Sequence, residues 1–544
     1  MLAQVRYHLL IIINEDHNIL FLPLESYFSK AGPKNPFIKA ACILTLILEN
    51  MYFVPRRALS IHLAGMRTLA RTSGATPAFI DTIPVDPRTL AGQFSLDPVT
   101  HHFISCPSCH CLYPYNPGDT PCKTISHCTY LQTRESLPCN AFLWKQVDIG
   151  GGRMRFMPTR KYQHQDLKHW LARLLARPGM EDLLDYPYVP AVHGSESTVD
   201  DIWQSQVFAD LRDSKGNLFF PAKDGEGRLV FALSVDGFNP FHNKTAKQTV
   251  SSSGIWLVLL NLPTHLRYLP ENICMAGVIP GPDKPSIDKI NHYLALVVKD
   301  FLEFWHKGFF FSRTYRQHQG RLFQGMLIPL VCDMLAARQV ISQANAPTSH
   351  NFCTFCDLDF NDIDIMDRSE WPAKDPQHIR HHAQLWKDAS NEKSQAALFE
   401  AYGVRWSALF DLPYWNPVLY TVVDSMHALD LNLLQNHCRT LFQIDTHNAG
   451  GDGFSTQSLG EVEKRVTSAD HIRLWKKCRK LISTNPQNLF DELLKYPRKV
   501  LYTICVDNNI REEGHQSVVG VSWLLAGNIH TWVSYRFARY PYTS

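Results

Sequence analysis

The sequence predicts a mixed α/β protein, and three observations carry that expectation. Apolar runs of strand length alternate with helical patterns from about residue 228. A stretch rich in Cys, Pro and Gly precedes them, and a long helical pattern precedes that stretch. These changes divide the chain into a helical region (1–100), a Cys-rich module (101–145) and a helical linker region (146–227). A sheet core with a Cys/His insertion (228–445) and a helical C-terminal region (446–544) follow.

Composition bounds the function. The 544 residues are 45% hydrophobic and 19% charged, which is globular and not disordered. A net charge of +3 gives no global basic field, so any nucleic-acid contact must come from local patches. The 14 Cys are too few for a disulfide scaffold at this length, and their clustering in pairs points to metal. MLAQVRYHLLIIINEDHNILF lacks the layout of a cleavable signal peptide, and FIKAACILTLIL is too short to span a bilayer. A soluble intracellular protein without a membrane partner is the expectation.

The elements follow in order. AACILTLILENMYFVPRRALSIHLAGMRTLART spaces its apolar residues as helices do, with Arg56, Arg57, Arg67 and Arg71 on polar positions. KHWLARLLARPGMEDLL and VDDIWQSQVFADLR predict two further helices. LVFALSV reads as a strand buried on both faces, GIWLVLLNLP as a second ended by Pro263, and ICMAGVIPG as a third. INHYLALVVKDFLEFWHKG is helical, and GMLIPLVCD is a fourth strand.

Two acids fall at the ends of these strands. Asp236 stands where LVFALSV meets Gly237 and Asn239-Pro240, which are expected to break the strand into a loop. An Asx turn and a metal-binding carboxylate both fit that position. Asp333 ends the fourth strand, and two strand-end carboxylates in one sheet can converge on a divalent cation. Asp424 follows the apolar YTVV and precedes a helical pattern, with His427 three residues on; a helix N-cap and a metal ligand fit equally.

Cysteines supply the other candidates. Cys106 and Cys109 form a C-x-x-C, followed by Cys111, Cys122, Cys128 and Cys139. Thiolates so spaced suit tetrahedral Zn²⁺ in a segment with little apolar core, though spacing alone does not select four of the six. Cys353 and Cys356 form a second C-x-x-C, with His350, His378, His381, His382, His427 and His437 as candidate partners. Basic stretches with interleaved aromatics are RMRFMPTRKY, FFFSRTYRQHQGR and HIRLWKKCRK.

VDGFNPF, NLPTHLRYLPENICMAGVIPGPDKPSIDKINHYLALVVKDFLEFWHKG, HNFCTFC, VRWSALFDLPYWNP and DSMHALDLNLLQNH together resemble the transposases of CACTA-type (En/Spm-like) DNA transposons. The likeness is to the Plavaka branch of fungi, covers about residues 50–535, and extends to CPSCHCLYPY…CTYL…CNAFL. On that likeness Cys106, Cys109, Cys128 and Cys139 are the zinc ligands, in preference to Cys111 and Cys122. The resemblance implies a DDE/D transposase with an RNase H-like core, which cuts and joins DNA using two Mg²⁺ or Mn²⁺ ions. Asp236 matches the first acid and Asp333 the second. Asp424, in the shared D-x-x-H, is the third or a supporting residue, with Glu461 and Glu512 as alternatives. Transposon ends and target DNA would be partners, the active form a homo-oligomer and the location nuclear. An expected finger-like N-terminal segment does not appear, and RFARYPYTS ends short of further family acids, so the copy reads as truncated. A catalytically inactive, zinc-stapled DNA- or protein-binding remnant is the alternative.

Overall fold

In the computed structural model the described residues are 20–22, 33, 35–50, 52–94, 96–185, 201–223, 225–239, 251–282, 284–344, 351–441 and 468–484, with 492, 493, 495, 496 and 500. The chain divides into two units, Met1–Val423 and Asp424–Ser544.

The helical spacing near the N-terminus produces α1 (Pro36–Asn50) and α2 (Arg56–Thr72). Their inward residues Ile38, Cys42, Leu46 and Leu63 close a small core with Ile80, Ile83 and Leu90. Arg67 is not a solvated face residue: it donates to the carbonyls of Ile80 and Ile83 and pairs with Asp81.

Among the described residues the strands are β1 (Leu20–Leu22), β2 (Thr100–Ser105), β3 (Leu112–Pro114), β4 (Trp144–Asp148), β5 (Met154–Pro158) and β6 (Lys161–Gln165). They continue with β7 (Gly227–Phe238), β8 (Ser252–Leu259), β9 (Ile273–Ile279), β10 (Phe309–Phe311), β11 (Arg321–Cys332) and β12 (Thr421–Val423). Ten of these form one sheet in the order β1-β10-β11-β7-β8-β9-β6-β2-β3, with β12 also on β11, while β4 and β5 make a separate hairpin.

The centre of this sheet is the run of apolar strands legible in the sequence. β7, β8 and β9 form an antiparallel meander, β11 returns parallel to β7, and β12 lies parallel to β11. Between β9 and β11 the chain forms α4 (Asn291–His306), whose Leu294, Val298, Phe301 and Phe304 are buried against the sheet. Phe231 of β7 meets Phe301 at 5.5 Å between ring centres. Gly325 of β11 makes room for this helix, since a Cβ there would stand 2.1 Å from the Phe304 ring.

The stretch before the core departs from the expected helical linker. KYQHQ is strand β6, joined to β9 through His164 opposite Gly277, and β2 pairs with β6 in turn. The Cys-rich segment is therefore tied to the sheet's flank. These strands are short, β6 alternating exposed with buried positions and β2 burying only its last two residues, so no apolar run announces them. Helix α3 (Leu167–Leu175) follows. VDDIWQSQVFADLR holds two short turns, Ile202–Gln204 and Gln206–Ala209, instead of one helix. There Asp201 accepts from the Trp203 amide, and the Trp203 indole N–H donates to the Leu260 carbonyl, so side-chain anchoring outweighs helical continuation.

Beyond β11 come α5 (Met334–Val340), α6 (Pro376–Asp388) and α7 (Glu392–Tyr402). In the second unit, residues Met426–Leu434 and His437–Leu441 are wound as π-helix, and α8 spans Ser468–Thr484. No described helix is long and apolar enough to cross a membrane.

Candidate functional site

β7 and β11 run parallel, and Leu233 of β7 is level with Leu330 of β11. Asp236 and Asp333 each lie three residues further on. Equal steps along parallel neighbours carry both acids toward the same end of that pairing, Asp236 within β7 and Asp333 immediately after β11. The Val235 amide donates to Cys332 Sγ at 3.1 Å, holding the strand ends together immediately before the acids. Burial first, and then the nearby Asp333 and Asp236 charges, push the Cys332 thiol up to about 12. It is a buried neutral spacer.

Asp236 is not in a turn. β7 continues past it to Phe238, and Asp236 pairs with Gly254 of β8. Gly237 keeps the strand going because β8 supplies a partner there. Asp236 is exposed, whereas the preceding residues from Gly227 are buried except for half-buried Ser234. Lys284 Nζ lies 2.9 Å from where a Cβ on Gly237 would stand, on the face of β7 opposite the Asp236 side chain. Asp333 is half-buried and caps α5, accepting from the Ala336 amide at 2.8 Å.

Asp424 opens the second unit. Its carboxylate accepts from the Met426 and His427 amides and meets His427 Nδ1 at 2.7 Å. Burial pushes this carboxyl up, but the His427 contacts outweigh it and leave it below the usual range. The residue thus caps its turn and bonds its His at once. Glu461, Glu512 and His350 lie outside the described residues.

The four-thiol group is the most complete candidate. Cys106, Cys109, Cys128 and Cys139 place their sulfurs within 4.8 Å of one another, and among the described residues no other His, Cys, Asp or Glu cluster of three or more does so. Cys106 and Cys139 are 3.7 Å apart, and Cys109 and Cys128 3.3 Å. A tetrahedron of sulfurs about 2.3 Å from zinc has edges of about 3.8 Å, so the set fits. His110 (φ 64°) and Asn140 (φ 54°) follow two of the thiols in the left-handed region and turn the chain sharply there. The Ser108 and Cys109 amides point at Cys106 Sγ. A hydrogen bond from Cys109 holds the Cys106 thiol down to about 5 against burial, and the same bond pushes Cys109 up. Cys122 is exposed and Cys111 half-buried, and neither joins the group.

This group is coupled to the core helix. His110 Nδ1 lies 3.1 Å from the Tyr293 hydroxyl of α4, which is 2.6 Å from Ser105 Oγ. Sequence reasoning missed these partners; the signal was the residue following the second Cys of a C-x-x-C, where a metal loop turns.

Cys353 and Cys356 gather no His among the described residues into a cluster of three. Cations brace their loop. Lys374 Nζ donates to the carbonyls of Cys353 (2.7 Å) and Cys356 (3.3 Å) and pairs with Asp357, while Arg338 donates to the Phe352 carbonyl. His378, His382 and Tyr402 pack with tilted rings, and His382 Nδ1 lies against the His378 carbonyl.

Residues 217–385, a stretch that includes β7 through β11, match the family model described as Transposase family tnp2. That span holds Asp236, Asp333 and the Cys353–Cys356 loop. The four-thiol group and Asp424 fall outside it. No curated protein matches the chain.

Proposed function

We propose that the chain is a DDE/D transposase with an RNase H-like core, of the CACTA-type, Plavaka-like branch, acting in metal-dependent cleavage and transfer of DNA strands. One observation carries this reading. Asp236 and Asp333, nearly a hundred residues apart in sequence, each stand three residues past the paired Leu233 and Leu330 of adjacent parallel strands, Asp236 still within β7 and Asp333 just after β11. The meander β7-β8-β9 with β11 and β12 parallel on its other side supports the fold part of the proposal.

Hard cations such as Mg²⁺ or Mn²⁺ suit carboxylate oxygens, and when bound they would supply charge for the entering and departing oxygens of a phosphoryl displacement. The chain's own residues prepare that site. Asp236 offers an exposed carboxylate at the strand rim, and the Ala336 amide fixes one Asp333 oxygen so that the group's direction is set. Asp424 is assigned as third or supporting acid, positioned by His427, with Glu461 and Glu512 as alternatives. The four thiols hold a structural zinc. DNA is the partner, the nucleus the location, and a homo-oligomer the active form.

The test is nicking of duplex DNA with Mg²⁺ or Mn²⁺ by the full chain. Asp236→Asn and Asp333→Asn should each reduce cutting to the level seen without metal. Equal cutting by wild type and Asp236→Asn would sink the assignment. The inactive-remnant reading has its own support, since Asp333 and Asp424 already carry capping bonds. It predicts no cutting by any form, with DNA binding retained.

A further inference from the structure

The hairpin of β4 and β5 has two unlike faces. Lys145 is opposite Met157 and Val147 opposite Arg155, while Trp144 and Phe156 point to the other side. Trp144 is buried and Phe156 packs against the thiol-lined core, so that face is anchored. The opposite face is open: Lys145 and Arg155 are exposed, as is Arg153 beside the turn. No ion pair joins these three cations to a described carboxylate, and Asp148 is occupied by the Gly150 amide at 2.7 Å. Residues 101–165 carry seven Lys and Arg against three Asp and Glu, which exceeds the +3 of the whole chain. The flank is therefore a locally basic segment of a nearly balanced chain.

We propose that the Lys145–Arg155 face of the β4–β5 hairpin is a docking surface for double-stranded DNA, gripping its phosphates. The inference deepens the reading above and rests on it for the identity of the polymer. A two-stranded ribbon is an element that the B-DNA major groove admits, whereas the deep, narrow major groove of A-form RNA does not. Five-residue strands span about 16 Å, enough to cross that groove. The thiol group would then act as the hairpin's foundation, with a metal fixing the surface that meets DNA.

Fluorescence anisotropy of the zinc-loaded full chain on a random duplex of about 30 base pairs, at several salt concentrations, tests this. The triple variant Lys145→Ala, Arg153→Ala, Arg155→Ala should bind about tenfold or more weakly near physiological salt, and its log K against log salt slope should flatten by about 2.7. Ile149→Lys adds a cation on the same face near the turn and should steepen the slope by about 0.9. An unchanged slope in the triple variant overturns the proposal. If the triple variant loses its zinc or its fold, Ile149→Lys decides, and an unchanged slope there overturns it. Tighter binding of an RNA duplex of equal length also overturns it. If Asp236→Asn abolishes cutting while the triple variant keeps the wild-type slope, the hairpin fails and the catalytic reading stands. If binding responds as stated but nothing is cut, the catalytic reading fails and the hairpin stands.

Discussion

The Cys-rich flank and the sheet core solve the same stability problem with different means. The core buries a large contiguous set of apolar side chains, including Phe231, Phe301, Phe304 and Phe323, around β7, β8, β11 and α4. The flank's own cluster has six buried residues, of which three are the candidate ligands Cys106, Cys109 and Cys128. One region is held by area removed from water; the other lacks that area and needs a staple. Metal status should therefore govern the flank and leave the core largely alone.

The largest effect expected is from Cys109→Ser. Zinc content should drop from about one per chain to near none, because apparent binding energies of about 10 kcal/mol or more are spent on folding such modules. Hydrogen exchange should accelerate across residues 106–143 while β7 and β8 stay protected. Equal loss of protection in both regions would break the comparison. The mirror experiment is Phe301→Ala, a fully buried ring on α4. It should cost the core about 3–5 kcal/mol in denaturant unfolding without changing zinc content.

His292 probes the seam. Its ring meets Tyr130 of the flank edge-on at 4.8 Å, and burial pushes its pKa down to about 4. The unfolded chain, with an ordinary His value, binds a proton below about pH 6.5 that the folded chain refuses until about pH 4. Stability from this residue is thus full above that window and falls as pH drops through it, by about 3 kcal/mol in all. His292→Gln should flatten the decline in melting temperature over the same range. The smallest effect is expected from Asp236→Asn, which should shift stability by less than about 0.5 kcal/mol because the side chain is exposed. A large loss there would mean that the acid serves the fold.

What was legible in the sequence follows the same divide. LVFALSV, GIWLVLLNLP, ICMAGVIPG and GMLIPLVCD became β7, β8, β9 and most of β11, since long apolar runs have few alternatives to the centre of a sheet. The thiol quartet was legible as a crowded set of six, narrowed by family likeness to the four that the fold gathers. β2 and β6 were not legible, because THHFIS and KYQHQ owe their strand form to a neighbouring edge. Extension of β7 past Asp236 was hidden for the same reason: Gly237 looks like a breaker until β8 is beside it. Nor did spacing reveal that Lys374 and Arg338 would hold the Cys353–Cys356 loop, which depends on tertiary contacts.

Strand β11 has a consequence for how the protein is made. Its outer side is shared, β10 taking the first residues and β12 the last. On the ribosome the β12 residues emerge long after β11, so the growing chain must carry an uncapped apolar edge while the intervening insertion is synthesised. Chaperone demand during translation should peak in that interval, and a chain halted before Thr421 should clump where the finished one does not.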